Sequence, residues 1–468
     1  MAVPMTAGVP AVVIAAPASG SGKTTVATGL IGALRRVGHR VAPFKVGPDY
    51  IDPGYHGLAA GRPGRNLDPV LVGAERVVPL YQHGARDCDV AVVEGVMGLF
   101  DGRIDENHAG PVAEGSTAQV ASLLGAPVVL VVDARGHSQS LAALLHGFAT
   151  FDSGIRLGGV ILNRVGSERH DQVLRAACDR VGLPVLGSMP RMTELEVPSR
   201  HLGLIPAVEH GTAATAAVAA MTDLVAAHVD LHAIAALARS TAAGPPWDPV
   251  AAVREAAVAD RPLIAMAGGP AFTFGYAEHR ELLTAAGAEV VVFDPLRDDL
   301  PSGTSGLVLP GGFPEEHAAA LAANSALLTA VAEQARCGLP VHAECAGLLY
   351  LTRSLDGYPM AGVIDADAEF GPRLTLGYRD AVALTDSPLW RAGERVRGHE
   401  FHRTRLTTAS TDIPAWGWHG SDGARVREGA LVHRVHASYL HTHPAGNPEA
   451  TGRFVAAAAE FAGAHASH

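Results

Sequence analysis

Short aliphatic runs alternate along this chain with longer stretches in which apolar residues recur every three or four positions. In the first half the runs are AVVIAA (11–16), RVAPFKVG (40–47), DVAVVEG (89–95), PVVLVVDA (127–134), LGGVILNRV (157–165) and PVLGSMP (184–190). TTVATGLIGALRRVG (24–38) follows the first run and reads as a helix. Unbroken β-branched runs separated by helices predict a parallel sheet covered on both faces. From about 208 to 260 the chain is alanine-rich and helical, with a break at TAAGPPWDP (241–249), and reads as an interdomain connection. A second series starts at RPLIAMAG (261–268) and runs through AEVVVFDP (288–295), SGLVLPGG (305–312) and GLPVHAEC (338–345). Beyond about 375 the periodicity weakens into a mixture of strands and loops. The pattern predicts two α/β domains, 1–240 and 261–468, joined by a linker at 241–260.

Composition supports this division. A chain of 468 residues exceeds one ordinary core, and 48% hydrophobic content fills two. The net charge of −11 argues against a nucleic-acid-binding or anionic membrane surface. No apolar run reaches the length of a membrane span. The start, MAVPMTAGVPAVVIAA, lacks the basic region of a secretory signal. The four cysteines show neither metal-ligand nor disulfide spacing, so a cytoplasmic protein is expected. Of the 36 basic residues only Lys23 and Lys45 are lysines. Lysine in an arginine-biased chain marks places that need a compact ammonium.

Both lysines lie near AAPASGSGKTT (15–25), a strand-to-helix turn. Glycines such as Gly20 and Gly22 let backbone amides approach an anion, and Ser21 and Thr25 flank the turn. Lys23 is expected to reach the β- and γ-phosphates of a nucleotide, and Thr24 to ligand Mg²⁺. The strict pattern places glycine where this chain has Pro17, so the loop is a variant. Glu94 ends a strand at the same sheet edge, and Asp49 and Asp52 follow another strand beside Lys45. Asp49 and Glu94 are expected at the metal, whereas Asp52 serves equally well as a turn cap. Asp101 in LFDG is a further acidic candidate.

Cys345 separates the strand-like GLPVHAEC from the helix-like AGLLYLTRSL. A sharp turn there exposes the thiol beside helix-start amides. Gly311 and Gly312 end LVLPGG and can supply an oxyanion-hole amide. HASYLHTHP (436–444) offers His436, His441 and His443 as a base. A cysteine and a histidine far apart in sequence are the layout of a thiol hydrolase.

SGSGKTT, FKVGPDYIDPGYH, GRPGRNLDP, VEGVMGLFDG, LNRV, LPGGFPE, AECAGLLYL, GHEFHRT and ASYLHTH occur in that order. In these motifs, over nearly its whole length, the chain resembles the cobyrinic and hydrogenobyrinic acid a,c-diamide synthases. That resemblance implies a P-loop, dethiobiotin-synthetase-like parallel-sheet domain followed by a class I glutamine amidotransferase-like α/β domain. It implies an ATP- and Mg²⁺-dependent ligase of cobalamin biosynthesis that amidates two acetate carboxylates of a corrinoid. Cys345 would attack glutamine, His441 would move the proton, and amides near Gly312 and Ala346 would hold the oxyanion. The ammonia would travel inside the protein to the first domain and attack an acyl phosphate. Gly20, Ser21, Gly22, Lys23, Thr24, Thr25 and Lys45 would bind ATP, with Asn163 reading adenine. Thr24, Asp49 and Glu94 would hold Mg²⁺, and Asp49, Tyr50, Asp101, Arg62 and Arg65 would meet the substrate. The implied partners are a tetrapyrrole polycarboxylate, glutamine and ATP, without nucleic acid or membrane, and with a homodimer as a candidate assembly.

The chain departs from the family pattern twice. Ala346 replaces the first glycine of AECGG, and Gly268–Gly269 replace a basic and an acidic residue before AF. Standard class I enzymes carry a glutamate two residues after the histidine, where this chain has His443. The rival readings are a cobyric acid synthase and a regulatory P-loop ATPase with a vestigial amidotransferase domain.

Overall fold

The aliphatic runs of the first half become strands of one sheet. They are β1 (Ala11–Ala15), β2 (Val41–Val46), β4 (Val90–Glu94), β5 (Val128–Asp133), β6 (Leu157–Val165) and β7 (Val185–Pro190), with a short β3 (Arg65–Leu67) added. A computed structural model describes residues 8–465 except 105–109, 192–198, 201–202, 205, 408–412 and 421. The strand order is β3-β2-β4-β1-β5-β6-β7, and every pairing is parallel. All residues of β1, β2 and β4 are buried, which is why these runs carry no polar alternation. The chain leaves β1 toward β2 on one side and later reaches β5 on the other. Ligands of such sheets collect at that switch, beyond the carboxyl ends of the strands.

Helix α1 (Lys23–Arg36) starts at the lysine of the glycine-rich turn, and α2 (Asp52–Ala60) follows β2. The alanine-rich helix Thr212–His228 packs on α1, so it belongs to the first core rather than to a bridge. A Cβ at Gly29 would lie 2.4 Å from the Met221 carbonyl oxygen, so the two helices approach at a glycine. Past this helix the chain still bonds to the same core. Arg239 pairs with Ala11, and Trp247 N donates to the Pro79 carbonyl at 2.9 Å. The first compact unit ends at Trp247 and the second begins at Asp248.

The second unit holds a sheet of β8 (Leu263–Ala267), β9 (Glu289–Phe293), β10 (Thr304–Leu309), β11 (Val341–Glu344), β14 (Ala430–Val432) and β15 (Val435–Ser438). Its order is β9-β8-β10-β11-β15-β14, parallel except for the β14–β15 hairpin. The weakly periodic tail forms a long antiparallel hairpin, β12 (Asp367–Ala383) against β13 (Arg395–Leu406), with β16 (His441–Thr442) on the far edge of β13. Its alternation was illegible for two reasons. Much of β12 is solvent-exposed, and the register slips between Phe370 and Thr375. Among the described residues no helix is long and apolar enough to cross a membrane.

Candidate active sites

In the first unit, β1 runs into a loop in which Gly20 (φ 78°) and Gly22 (φ 98°) are left-handed. Asn163, near the end of β6, donates from Nδ2 to the Ser21 carbonyl at 2.9 Å and braces this loop. A Cβ at Gly22 would stand 2.2 Å from that amide nitrogen. Lys23 donates from Nζ to the Met97 carbonyl at 2.6 Å and lies buried in the turn. Burial, then the neighbouring Lys45, lowers its pKa to about 8, against the pull of Glu94, Asp52 and Asp101. Thr25 follows in the first turn of α1.

A buried polar cluster stands at the carboxyl ends of β2 and β4. Thr24 Oγ1 donates to Glu94 Oε1 at 2.7 Å and lies 3.3 Å from Asp52 Oδ2. Lys45 Nζ sits 2.8 Å from Asp52 Oδ2 and 2.9 Å from Glu94 Oε1. His56 Nε2 meets the other Glu94 oxygen at 2.7 Å. Burial pushes Asp52 up to about 7, reinforced by Asp49 and Glu94 and opposed by Lys45. Burial would raise Glu94 too, but Lys45 and His56 outweigh it and hold that carboxyl well below its usual range. Lys45 loses charge stability to burial and regains more from Asp52, Glu94 and Asp49.

The two aspartates after β2 have different partners. Asp49 Oδ1 accepts from the amides of Ile51 (2.8 Å) and Asp52 (3.0 Å), so it shapes the turn into α2. Asp52, the first residue of α2, is the one beside Thr24. His56 carried no expectation. Its spacing of four from Asp52 was the available signal, because that places both on one helix face.

Asp101 accepts from Gly98 N at 2.9 Å, in the stretch that also supplies the Met97 carbonyl to Lys23. Tyr50 lies in the Asp49 turn. Arg62 bonds to the Arg86 carbonyl at 3.2 Å and contacts Cys88, while the Arg65 stem packs over Gly84. Both arginines touch the 84–88 stretch. In the same motif Asn66 donates to the carbonyls of Gly47 (2.8 Å) and Asp49 (2.7 Å), and Asp68 caps the helix Pro69–Val72.

In the second unit Cys345 stands between β11 and the helix Ala346–Leu351 with φ 50° and ψ −96°. Left-handed backbone in a non-glycine residue costs about 1–3 kcal/mol and persists only where its surroundings enforce it. Here Cys345 N donates to the Ser438 carbonyl at 2.7 Å, which ties the elbow to β15. The Ala346 and Gly312 backbones favour the thiolate. Burial nevertheless pushes the thiol up, and the Glu315 charge adds to it, so Cys345 is a protonated thiol at neutral pH.

Of the three histidines in HASYLHTHP, His441 lies against the Gly311–Gly312 turn. A Cβ at Gly311 would be 2.3 Å from its Cε1. His436 lies inside β15 with its ring edge on Trp416, and burial lowers it to about 3. His443 accepts from Ala445 N at 3.2 Å and packs on Tyr276 with ring centroids 4.1 Å apart. Glu344, unassigned from sequence, accepts from Thr442 N (3.1 Å) and Thr442 Oγ1 (2.9 Å) on Oε1. Its Oε2 lies 3.8 Å from His441 Nδ1, and its Oε1 lies 3.3 Å from His342 Nε2.

Family models match both units. Residues 12–205 match the CobQ/CobB/MinD/ParA nucleotide binding domain, and residues 263–448 match the CobB/CobQ-like glutamine amidotransferase domain. A hydrogenobyrinate a,c-diamide synthase of Mycobacterium tuberculosis is 64% identical over 96% of this chain and 98% of the relative. That of Streptomyces coelicolor is 56% identical over 96% of this chain and 97% of its own length. A cobyrinate a,c-diamide synthase of Synechococcus is 40% identical, covering 94% of this chain and 96% of the relative. The chain belongs to the a,c-diamide synthase family.

As a family member it pairs a nucleotide-binding domain with a glutamine amidotransferase domain. Its departures from the family pattern have local explanations. Ala346 is helical with an ordinary backbone, so nothing there requires glycine. Gly347 does, because a Cβ would fall 2.2 Å from the Leu309 carbonyl oxygen. Gly269 has φ 82°, and a Cβ there would meet the Asp294 carboxyl at 2.6 Å. Gly269 thus occupies a left-handed turn position that favours glycine, beside the Asp294 carboxyl.

Proposed function

We propose that this family member amidates the a and c acetate carboxylates of hydrogenobyrinic acid, using ATP and glutamine, in the cytoplasm. Higher identity to relatives named for hydrogenobyrinate (64% and 56%) than to one named for cobyrinate (40%) favours the metal-free ring. Cys345 attacks the glutamine side-chain carbonyl while His441 removes the thiol proton. A base is needed at that moment because burial keeps the thiol protonated. The amides of Gly312 and Ala346 receive the oxyanion. His441 returns the proton to the leaving ammonia, and water then releases glutamate from the thioester.

In the first unit the substrate carboxylate takes the γ-phosphoryl group of ATP. A free carboxylate resists amines because oxide is a poor leaving group, whereas phosphate leaves readily. Lys23 offsets charge on the transferring group, and the amides of the 20–25 turn cradle the phosphates. Ammonia then displaces phosphate and forms the amide.

Thr24, Asp52 and Glu94 would hold Mg²⁺. They present hard oxygen donors, and their carboxylates already share a cation, the Lys45 ammonium. Among the described residues no cluster of three or more His, Cys, Asp or Glu side chains is arranged for a metal. Phosphate oxygens and water would therefore complete the shell. When bound, Mg²⁺ supplies charge neutralisation on the phosphate oxygens.

The observation that carries this reading is the strained elbow of Cys345, tied to β15, with His441 against the Gly311–Gly312 turn, in a chain that also bears the Lys23 turn. Incubation with ATP, Mg²⁺, glutamine and either ring tests it. Two amidations of hydrogenobyrinic acid by mass are expected, and turnover of the cobalt ring alone would overturn the substrate assignment. Cys345→Ala should abolish glutamine-driven turnover and retain ammonia-driven turnover. Persistence of the glutamine reaction would remove Cys345 from the nucleophile role.

A further inference from the structure

The standard class I base is oriented by a glutamate two residues beyond the histidine. Here that position is His443, which is committed to the Ala445 amide and the Tyr276 ring. His441 thus needs another orienting group, and the carboxylate whose oxygen faces its Nδ1 is on a different strand.

We propose that Glu344, the residue immediately before the nucleophile, is the positioning carboxylate for His441. The assignment rests on His441 acting as the base for Cys345. Three features of the geometry support it. Glu344 ends β11, and the parallel pairing of β11 with β15 sets it opposite Ser438, three residues before His441. The same strand end therefore delivers both the elbow and the carboxylate. Next, Thr442 grips Oε1 with its amide and its hydroxyl, and His342 approaches that oxygen from within β11. With Oε1 fixed, Oε2 is held toward His441 Nδ1 at 3.8 Å. Finally, the pair is shielded: His441 is fully buried and the Glu344 side chain is 15% exposed.

A separation of 3.8 Å exceeds a hydrogen bond in the resting state. Once the ring takes the thiol proton, an imidazolium faces a carboxylate in a weakly screened interior, and their attraction is largest in that state. Glu344 itself stays ionised. Burial would raise its pKa, but His342 and His441 more than reverse this. His436 and His279 also feel the Glu344 charge. Glu344 neither touches the substrate carbonyl nor accepts the proton in this scheme. It fixes which ring nitrogen faces the sulfur and stabilises the protonated ring.

Steady-state glutamine hydrolysis and amidation by Glu344→Gln test the proposal. The expected result is a fall in kcat for glutamine of roughly 10²- to 10⁴-fold, on the scale of removing the orienting carboxylate of a Ser-His-Asp triad. KM changes little, and ammonia-driven amidation is retained. The acid limb of the glutamine kcat/KM profile moves to lower pH, because the ring loses the charge that favoured its protonation. A structural role alone would not move that limb. Wild-type kcat with an unmoved limb overturns the proposal. If ammonia-driven amidation also collapses, Thr442→Val is read instead, since it removes one grip on Oε1 and no charge. A fall in glutamine-driven kcat supports Glu344, and unchanged kcat overturns it. Cys345→Ala, run in parallel, separates the two readings. If it abolishes glutamine turnover while Glu344→Gln does not, only the positioning role fails.

Discussion

Nε2 of His56 lies 2.7 Å from Oε2 of Glu94, and neither side chain has any solvent exposure. The other Glu94 oxygen serves Thr24 and Lys45, so each carboxylate oxygen has its own duty. Removing the histidine leaves a buried charge short of a partner, which typically costs about 3–5 kcal/mol. His56→Ala should therefore lower the melting transition of the first unit by several degrees and depress ammonia-driven amidation. His56→Gln, which keeps a donor, should recover part of both. Unchanged melting and activity in the alanine variant would make the pair incidental.

Lys23 is expected to bind phosphate only while charged. Burial lowers its pKa to about 8 in the free protein, so the ammonium is complete below that pH and lost above it. ATP affinity by calorimetry should weaken as pH rises through about 8 and be flat below 7. Lys23→Gln should bind at least about tenfold more weakly and lose this dependence, since one lost charge-assisted contact is worth about 1.5–3 kcal/mol. Equal affinity at pH 7 and pH 9 in the native protein would contradict the assignment.

Acid should loosen the second unit before the first. Burial lowers each of His279, His399 and His436 to about 3, assisted by neighbouring His342, His441 or Arg379. Unfolded histidine takes its proton near 6.5, so these groups contribute stability that is full above 6.5 and lost as pH falls toward 3. Glu428 acts in the opposite sense. Burial raises it to about 7, so it costs stability as pH climbs from 4.5 to 7. Three groups against one predict a net loss on acidification. Urea titrations at pH 7.5 and pH 5 should show it in tryptophan fluorescence, because the Trp416 and His436 ring centroids are 5.2 Å apart. His436→Gln should flatten the pH slope.

Gly311→Ala probes the base without altering an ionisable group. The added methyl would stand 2.3 Å from His441 Cε1, so the ring must shift. A displacement of about 1 Å at a catalytic group costs on the order of 10²-fold in rate. Glutamine-driven kcat should fall by that order while ammonia-driven amidation persists. Equal loss of both activities would place Gly311 in the fold rather than in the glutamine site.

The sequence by itself determined the two α/β series, the Lys23 turn and the Cys345 elbow. Each is written locally, as an aliphatic run that ends in glycine or a small residue before a helix. It also narrowed the base to three histidines within eight residues. Helix Thr212–His228 looked like part of a connection because alanine-rich periodicity does not name its partner; contact with α1 does. Which of Asp49 and Asp52 stands beside Thr24 was not legible in the chain, since both follow β2 and only the direction of α2 turns Asp52 toward it. The fold brought His56 to Glu94 from 38 positions away, and Glu344 to His441 from 97. The physical reason is the same in each case. Strand pairing and helix direction set which buried polar atoms meet, and a buried charge is tolerated only where such a meeting occurs.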